Sequence, residues 1–307
     1  MLIWLVPLLL AVSVPDSASL ELAVAPAETL HVVVAGTGEP VVLLPGLFGS
    51  VYGFRKVEPL LTAAGYRTIV IEPLGVGASG RPERANYSLT AQADRIAAAL
   101  DSLGVTHAIV VAHSLGASMA YRLAYRRPDL VRGLVSLDGG PAEAAATPGF
   151  RRAMRFAPWI KLFGGVKLVR RKIRANLISA SGDTTWVDDA AVAAYTAGAA
   201  ADLDGTLKAY LGMARAREPE RLVPHLSAIH CPVRLLLGMA PHTNGIQQGE
   251  IDILGRMLPL FAIDTLAGAG HFLYEERPDA VVASVRRVDS DLAAAGMRES
   301  GLPHSRH

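Results

Sequence analysis

The run Val110-Val111-Ala112-His113-Ser114-Leu115-Gly116-Ala117 constrains this chain more than any other. An apolar, β-branched stretch from Ala108 to Val111 stops at a serine that has tiny residues, Ala112 and Gly116, two places to either side. A small-rich segment with helical character, Ala117 to Tyr125, follows at once. A strand that turns into a helix over so short a span forces the turn residue into a strained backbone. Only side chains with little or no Cβ fit two places away, where strand and helix approach. The strain lifts the Ser114 hydroxyl out of the sheet. Leu115, first in the helix, presents a free N–H to whatever is attached to that oxygen. An ordinary strand-to-helix turn containing serine shares this local pattern, so the rest of the chain must decide.

Two other segments bear on it. Near the C-terminus, Leu266-Ala267-Gly268-Ala269-Gly270-His271-Phe272 reads as the end of a strand (Phe261 to Leu266), a glycine loop, and a helix starting near Pro278. Of nine histidines, His271 falls on the loop at the end of the last expected strand. A serine needs a base to remove its proton, and a loop histidine after the last strand can reach it. The second segment is Val41-Val42-Leu43-Leu44-Pro45-Gly46-Leu47-Phe48-Gly49-Ser50, a buried strand that ends in Pro-Gly and a glycine-flanked loop. Amides just after Gly46 can point at the same oxyanion as the Leu115 N–H. Removing one such donor typically costs about 3 kcal/mol of transition-state stabilisation.

With Ile69-Val70-Ile71-Glu72-Pro73-Leu74-Gly75-Val76-Gly77-Ala78-Ser79 between them, these segments resemble the α/β-hydrolase superfamily from about Leu30 to Val285, in the family's order. The resemblance implies an α/β fold: an eight-stranded, mostly parallel sheet with helices on both faces and a helical cap inserted between strands 6 and 7. It implies Ser114 as nucleophile on its elbow, His271 as base, and the amides of Leu47 and Leu115 as oxyanion hole. Pro45 stands where the family usually has the histidine of His-Gly-x, and Glu72 where the loop after strand 4 usually begins with Asp. Neither departure removes a catalytic group.

The acid is where the chain departs most. Strand 7 is expected from Cys231 to Gly238, and the family's acid usually follows it as Gly-x-x-Asp. Here Pro241 occupies that position, within Met239-Ala240-Pro241-His242-Thr243-Asn244, and no carboxylate comes before Glu250. Some members carry the acid after strand 6, and here Gly133 to Leu137 is followed directly by Asp138. Asp138 is therefore the candidate. The alternatives are a structural role for Asp138 with Glu250 or Asp252 as the acid, or a serine–histidine pair without one.

A serine at the elbow disfavours the dehalogenase and epoxide-hydrolase branches, which use a carboxylate there. The expected reaction is hydrolysis of a small-molecule carboxylic ester through an acyl-enzyme, without cofactor or metal. Lactone, thioester, amide or peptide cleavage uses the same triad, and a binding protein that has lost catalysis is a further alternative. Gly75-Val76-Gly77-Ala78-Ser79-Gly80 is a literal Gly-x-Gly-x-x-Gly. Pro73 precedes it and Arg81-Pro82-Glu83-Arg84 is a poor helix start, which argues against a nicotinamide or flavin site. A net charge of +2 gives no reason to expect a nucleic-acid partner.

The 307 residues, 51% hydrophobic and 19% charged, suffice for one large domain with an insertion. The division is 1–27 as signal peptide, anchor or arm, 28–140 and 229–290 as core, 141–228 as cap, and 291–307 as a polar tail. Leu2 to Val14 is an apolar run shorter than a membrane span and suited to a signal-peptide core, although no Lys or Arg precedes it and Pro7 interrupts it. Export or anchoring is the expectation. Candidate cleavage sites are Ser17-Ala18-Ser19 and Ala25-Pro26-Ala27. From Ala144 to Gly182 there is no Asp or Glu but nine Lys or Arg, interleaved with Phe150, Met154, Trp159, Ile160, Phe163, Val166, Val169 and Ile173 at helical spacing. The apolar face is expected to line an acyl pocket or dock the cap. The basic face is solvated or touches an anionic membrane surface weakly. Val187 to Arg217 reads as two plain helices.

Overall fold

In the computed structural model the described residues are 17–156, 159 and 164–300, with side chains described through 294. The Leu2–Val14 run, Ile160, Phe163, and the tail from 301 lie outside them. Eight strands form one sheet in the order β1-β2-β4-β3-β5-β6-β7-β8. β1 (Ala18–Ala25) and β2 (Glu28–Ala35) make an antiparallel hairpin that joins β4 (Tyr66–Ile71) antiparallel. From β4 onward all pairings are parallel: β3 (Glu39–Leu44), β5 (Ala108–His113), β6 (Val131–Leu137), β7 (Val233–Gly238) and β8 (Phe261–Leu266).

The central strands read as unbroken apolar runs because helices cover both faces. Every residue of β5 is buried. Val42, Leu44, Val110 and Ala112 face one apolar cluster, which includes residues of α2 (Leu89–Ser102), α3 (Leu115–Arg126) and α9 (Gln248–Met257). Val41, Leu43, Ile109 and Val111 face the other, with residues of α1 (Glu58–Ala63), α10 (Leu273–Glu276) and α11 (Pro278–Ser300). A Cβ on Gly133 of β6 would meet Val288 Cγ1 at 2.3 Å, so only glycine lets α11 lie this close to the sheet.

Between β6 and β7 stand α4 (Pro148–Met154), α5 (Gly165–Ala180), α6 (Asp189–Tyr195), α7 (Ala197–Ala201) and α8 (Leu203–Arg215). Thr147 caps α4 by accepting from the Phe150 N–H, with Pro148 in the first turn. The stretch expected as two helices, Val187 to Arg217, is three, because Thr196 and Asp202 each interrupt the alanine-rich run. The basic side chains Arg151, Arg152, Arg155, Arg170 and Arg171 are exposed.

Two expected boundaries shift. β1 lies inside the segment 1–27 set apart as leader or arm, because Leu20, Leu22 and Val24 pack on the core; cleavage after Ala27 would remove this strand. The stretch 291–300, expected as tail, continues α11. β7 begins at Val233, and Cys231 lies half-buried just before it. Among the described residues no helix is long and apolar enough to cross a membrane.

Candidate active site

Neighbouring parallel strands β3, β5 and β6 deliver their chain ends to one edge of the sheet, and a non-glycine residue just beyond each adopts positive φ. These are Phe48 (φ 65°), Ser114 (φ 51°) and Asp138 (φ 47°). Non-glycine side chains are rarely held there unless the surroundings over-determine them, and such strain clusters at functional sites. Ser114 has ψ −119° and is the N-cap of α3, so β5 ends and the helix begins at this residue. Its N–H still bonds the Leu137 carbonyl, and that of Asp138 bonds Leu236. The crowding expected at Gly116 is real, but the partner is β3: a Cβ there would lie 2.7 Å from the Pro45 oxygen and 2.9 Å from that of Leu44. A Cβ on Gly46 would come within 3.0 Å of Ser114 Cβ. The loop bearing Leu47 is thus pressed against the elbow. Ser114, Leu115 and Leu47 are all half-buried.

Asp138 Oδ2 lies 2.7 Å from His271 Nδ1, and both residues are buried. The loop after β8 is held from outside: the His271 N–H donates to the Ala180 carbonyl of α5. Glu276 Oε2 accepts from the N–H groups of Gly270, Gly182 and Asp183, joining this loop to the insertion. His113 donates from Nε2 to the His271 carbonyl at 3.1 Å, while its Nδ1 lies against Gly46. Burial first, and then the neighbouring His271 ring, push the His113 pKa well below the usual histidine value. His113 is therefore a neutral prop for the His271 backbone.

The other acids considered are engaged elsewhere. Glu250 closes a capping box at the start of α9, accepting from the Gln247 N–H at 3.0 Å. Asp252 is exposed on the same helix and accepts from Gln248 Nε2. The residue that sequence reasoning missed is His242, whose Nε2 lies 2.9 Å from Asp138 Oδ2. It follows Pro241, the position where the family would place an acid, and a search for carboxylates passes over it. Donor atoms of Asp138, His242 and His271 lie within 4.8 Å of one another. Both imidazoles reach the same carboxylate oxygen, at 2.9 and 2.7 Å.

The glycines after β4 wrap a carboxylate and open no helix. Glu72 Oε1 accepts from the Val51 N–H at 2.7 Å and Oε2 from Ala78 at 2.5 Å, with His31 Nδ1 at 3.1 Å. A Cβ on Gly77, at φ 57°, would sit 2.0 Å from the Glu72 carboxyl carbon. The dinucleotide alternative loses its helix N-terminus here, since α2 begins only at Leu89. The bond to Glu72, against the opposing effect of burial, raises the His31 pKa above its ordinary 6.5.

A cavity of about 1070 Å³ lies between the insertion and the core. Phe48 and Gly49, next to Leu47, form part of its wall, with Val169 and Ile173 of α5 and Leu207 and Tyr210 of α8. Phe48 meets Tyr210 edge-on, ring centroids 5.0 Å apart. Ser114 and His271 are not in the lining, so the cavity adjoins the loop bearing Leu47 without enclosing the elbow.

A family model described as alpha/beta hydrolase fold matches residues 39–178, the stretch that holds β3, the elbow and Asp138. The chain has the α/β-hydrolase fold. Across most of its length the chain is 26% identical, over 265 residues, to 2-(acetamidomethylene)succinate hydrolase of Mesorhizobium japonicum, covering 84% of this chain and 90% of the relative. It is 24% identical over 247 residues to sn-1-specific diacylglycerol lipase ABHD11 of Xenopus tropicalis, covering 78% and 74%. The solved structure of the epoxide hydrolase CorEH superposes with a TM-score of 0.75 at 22% identity, over 90% of this chain and all of that one, a likeness of fold. These relatives are hydrolases, which supports a hydrolase here.

Proposed function

We propose that this hydrolase cleaves carboxylic esters through an acyl-enzyme formed on Ser114, with an apolar acyl group housed in the cavity under the insertion. The observation that carries the reading is the buried 2.7 Å bond from Asp138 to His271 Nδ1, in loops flanking a serine held at φ 51°. An imidazole whose Nδ1–H is held by a carboxylate presents the Nε2 lone pair as a base. His271 takes the Ser114 proton as the oxygen attacks the ester carbonyl, then returns it to the leaving alcohol. Water enters the second half-reaction by the same route. The Leu115 amide, first of α3 and without a helical carbonyl behind it, and the Leu47 amide receive the oxyanion. Neither elbow nor base position carries the nucleophilic carboxylate that epoxide opening would need.

The cavity favours an acyl chain over a small polar acid. Its size is at the upper end of ligand sites, which run to roughly 1,000 Å³, and Phe48, Leu207, Tyr210 and Ile173 are in its wall. The relative named as a diacylglycerol lipase acts on an ester with such a chain, which supports the reading. The test is a panel of p-nitrophenyl esters of rising chain length beside lactones, thioesters and anilides. Ester turnover that rises from acetate to medium or long chains is expected. Turnover of amides or lactones with no ester cleavage would replace the substrate class, and a preference for acetate would remove the acyl role of the cavity.

A further inference from the structure

Among the described residues His242 faces two hydrogen-bond acceptors and no donor. Its Nδ1 lies 2.7 Å from the Ala240 carbonyl oxygen and its Nε2 lies 2.9 Å from Asp138 Oδ2. A neutral imidazole owns one N–H and satisfies one of these; the doubly protonated ring satisfies both. The side chain is only 9% exposed, so water is a poor substitute for either partner. The ring is also boxed in, since a Cβ on Gly245 would approach Nε2 to 2.6 Å. The titratable groups facing it are Asp138, from the loop after β6, and His271, from the loop after β8. From α5 comes neutral Ser179, bonded to Thr243 through its carbonyl and its hydroxyl. Glu250 of α9 is turned to Gln247.

One carboxylate oxygen therefore serves two imidazoles, stacked with centroids 6.1 Å apart and planes 29° from parallel. When His271 takes the serine proton, a second positive ring joins the first around that oxygen. We propose that His242 is a positioning residue which holds Asp138 with a charged imidazole and so keeps His271 available as a base at lower pH than an isolated Asp–His pair. The proposal rests on reading Ser114, His271 and Asp138 as a hydrolytic triad. A unit charge 6.1 Å away changes a protonation equilibrium about threefold even when screened as strongly as in water, and more in a drier site.

The test compares the pH dependence of ester kcat/KM for the wild type, His242→Gln and His242→Ala, each profile normalised to its own plateau. Glutamine keeps an N–H for Asp138 and loses the charge. At the acidic foot, normalised kcat/KM is expected to fall at least about threefold in both variants. Profiles that superimpose after normalisation, with the plateau alone lowered, would reduce His242 to a structural prop and overturn the proposal. A second readout does not need turnover: ¹⁵N-histidine spectra of the Ser114→Ala protein at neutral pH should show protons on both His242 nitrogens. A single N–H on that ring overturns the proposal even if esters are cleaved. A charged His242 in a wild type that cleaves no ester refutes the functional reading instead.

Discussion

Asp138→Asn has an outcome in this structure that differs from the usual one. In the well-studied serine-protease triad the same change costs about 10⁴ in turnover, because the amide N–H₂ faces the histidine and imposes the wrong tautomer. Here Oδ2 accepts from two imidazoles, His271 at 2.7 Å and His242 at 2.9 Å, while Oδ1 accepts a longer bond, 3.3 Å, from the Ile246 N–H. An asparagine that turns its oxygen toward the histidines keeps both short bonds and gives up only the long one. The opposite orientation sets N–H₂ against the His242 N–H. The first is preferred, the productive His271 tautomer survives, and what is lost is the charge. A charge-assisted hydrogen bond contributes about 1.5–3 kcal/mol against about 1 for a neutral one. Asp138→Asn should therefore lower kcat/KM on the order of 10²-fold. In a His242→Ala background the preference reverses, because the N–H₂ can face His271 while the oxygen accepts from Ile246. There the substitution should cost on the order of 10⁴. The assay is p-nitrophenyl butyrate hydrolysis at the plateau of the pH profile, with folding checked by circular dichroism. Equal costs in the two backgrounds, or a 10⁴ loss with His242 present, would refute the reasoning.

Gly116→Ala should lower kcat roughly ten- to a hundredfold with little change in melting temperature. The added methyl pushes the Pro45 and Leu44 carbonyls, and with them the Leu47 loop, out of place, while its packing cost of about 1–3 kcal/mol is partly offset by about 1 kcal/mol of helix propensity. Leu207→Trp should shorten the preferred acyl chain, read from kcat/KM across the ester series, because Leu207 lines the cavity and the larger ring takes up part of its volume. His31→Gln should destabilise the protein in a pH-dependent way. The His31 pKa is raised in the fold by Glu72, so its contribution is full below the ordinary 6.5 and fades as pH rises through the higher folded value. Urea melts should show the gap between wild type and variant closing on the alkaline side; a gap that widens there has the wrong sign.

The parts of the fold that were legible are those fixed by local chemistry. The buried runs at Val41, Ile69 and Val110 announce strands covered on both faces, and Ser114 between Ala112 and Gly116 announces the elbow. The loop position of His271 marks it for its place in the site. Three features escape a reading of the sequence. β1 is lost within the segment set apart as leader or arm because an alternating edge strand beside an apolar run resembles the end of a signal sequence. The break of the second half of the insertion into three helices depends on Thr196 and Asp202, too weak as punctuation among so many alanines. His242 is passed over because a bond between loops from β6 and β7 depends on long-range geometry, and a carboxylate is what that position leads one to seek.

The central claim is that Ser114 is an activated nucleophile. A fluorophosphonate probe followed by intact-mass and peptide mapping tests it whatever the substrate is. One adduct per chain is expected, on Ser114, absent from Ser114→Ala and strongly slowed in His271→Ala. A folded wild-type protein that takes no label, or that is labelled at another residue, would contradict it.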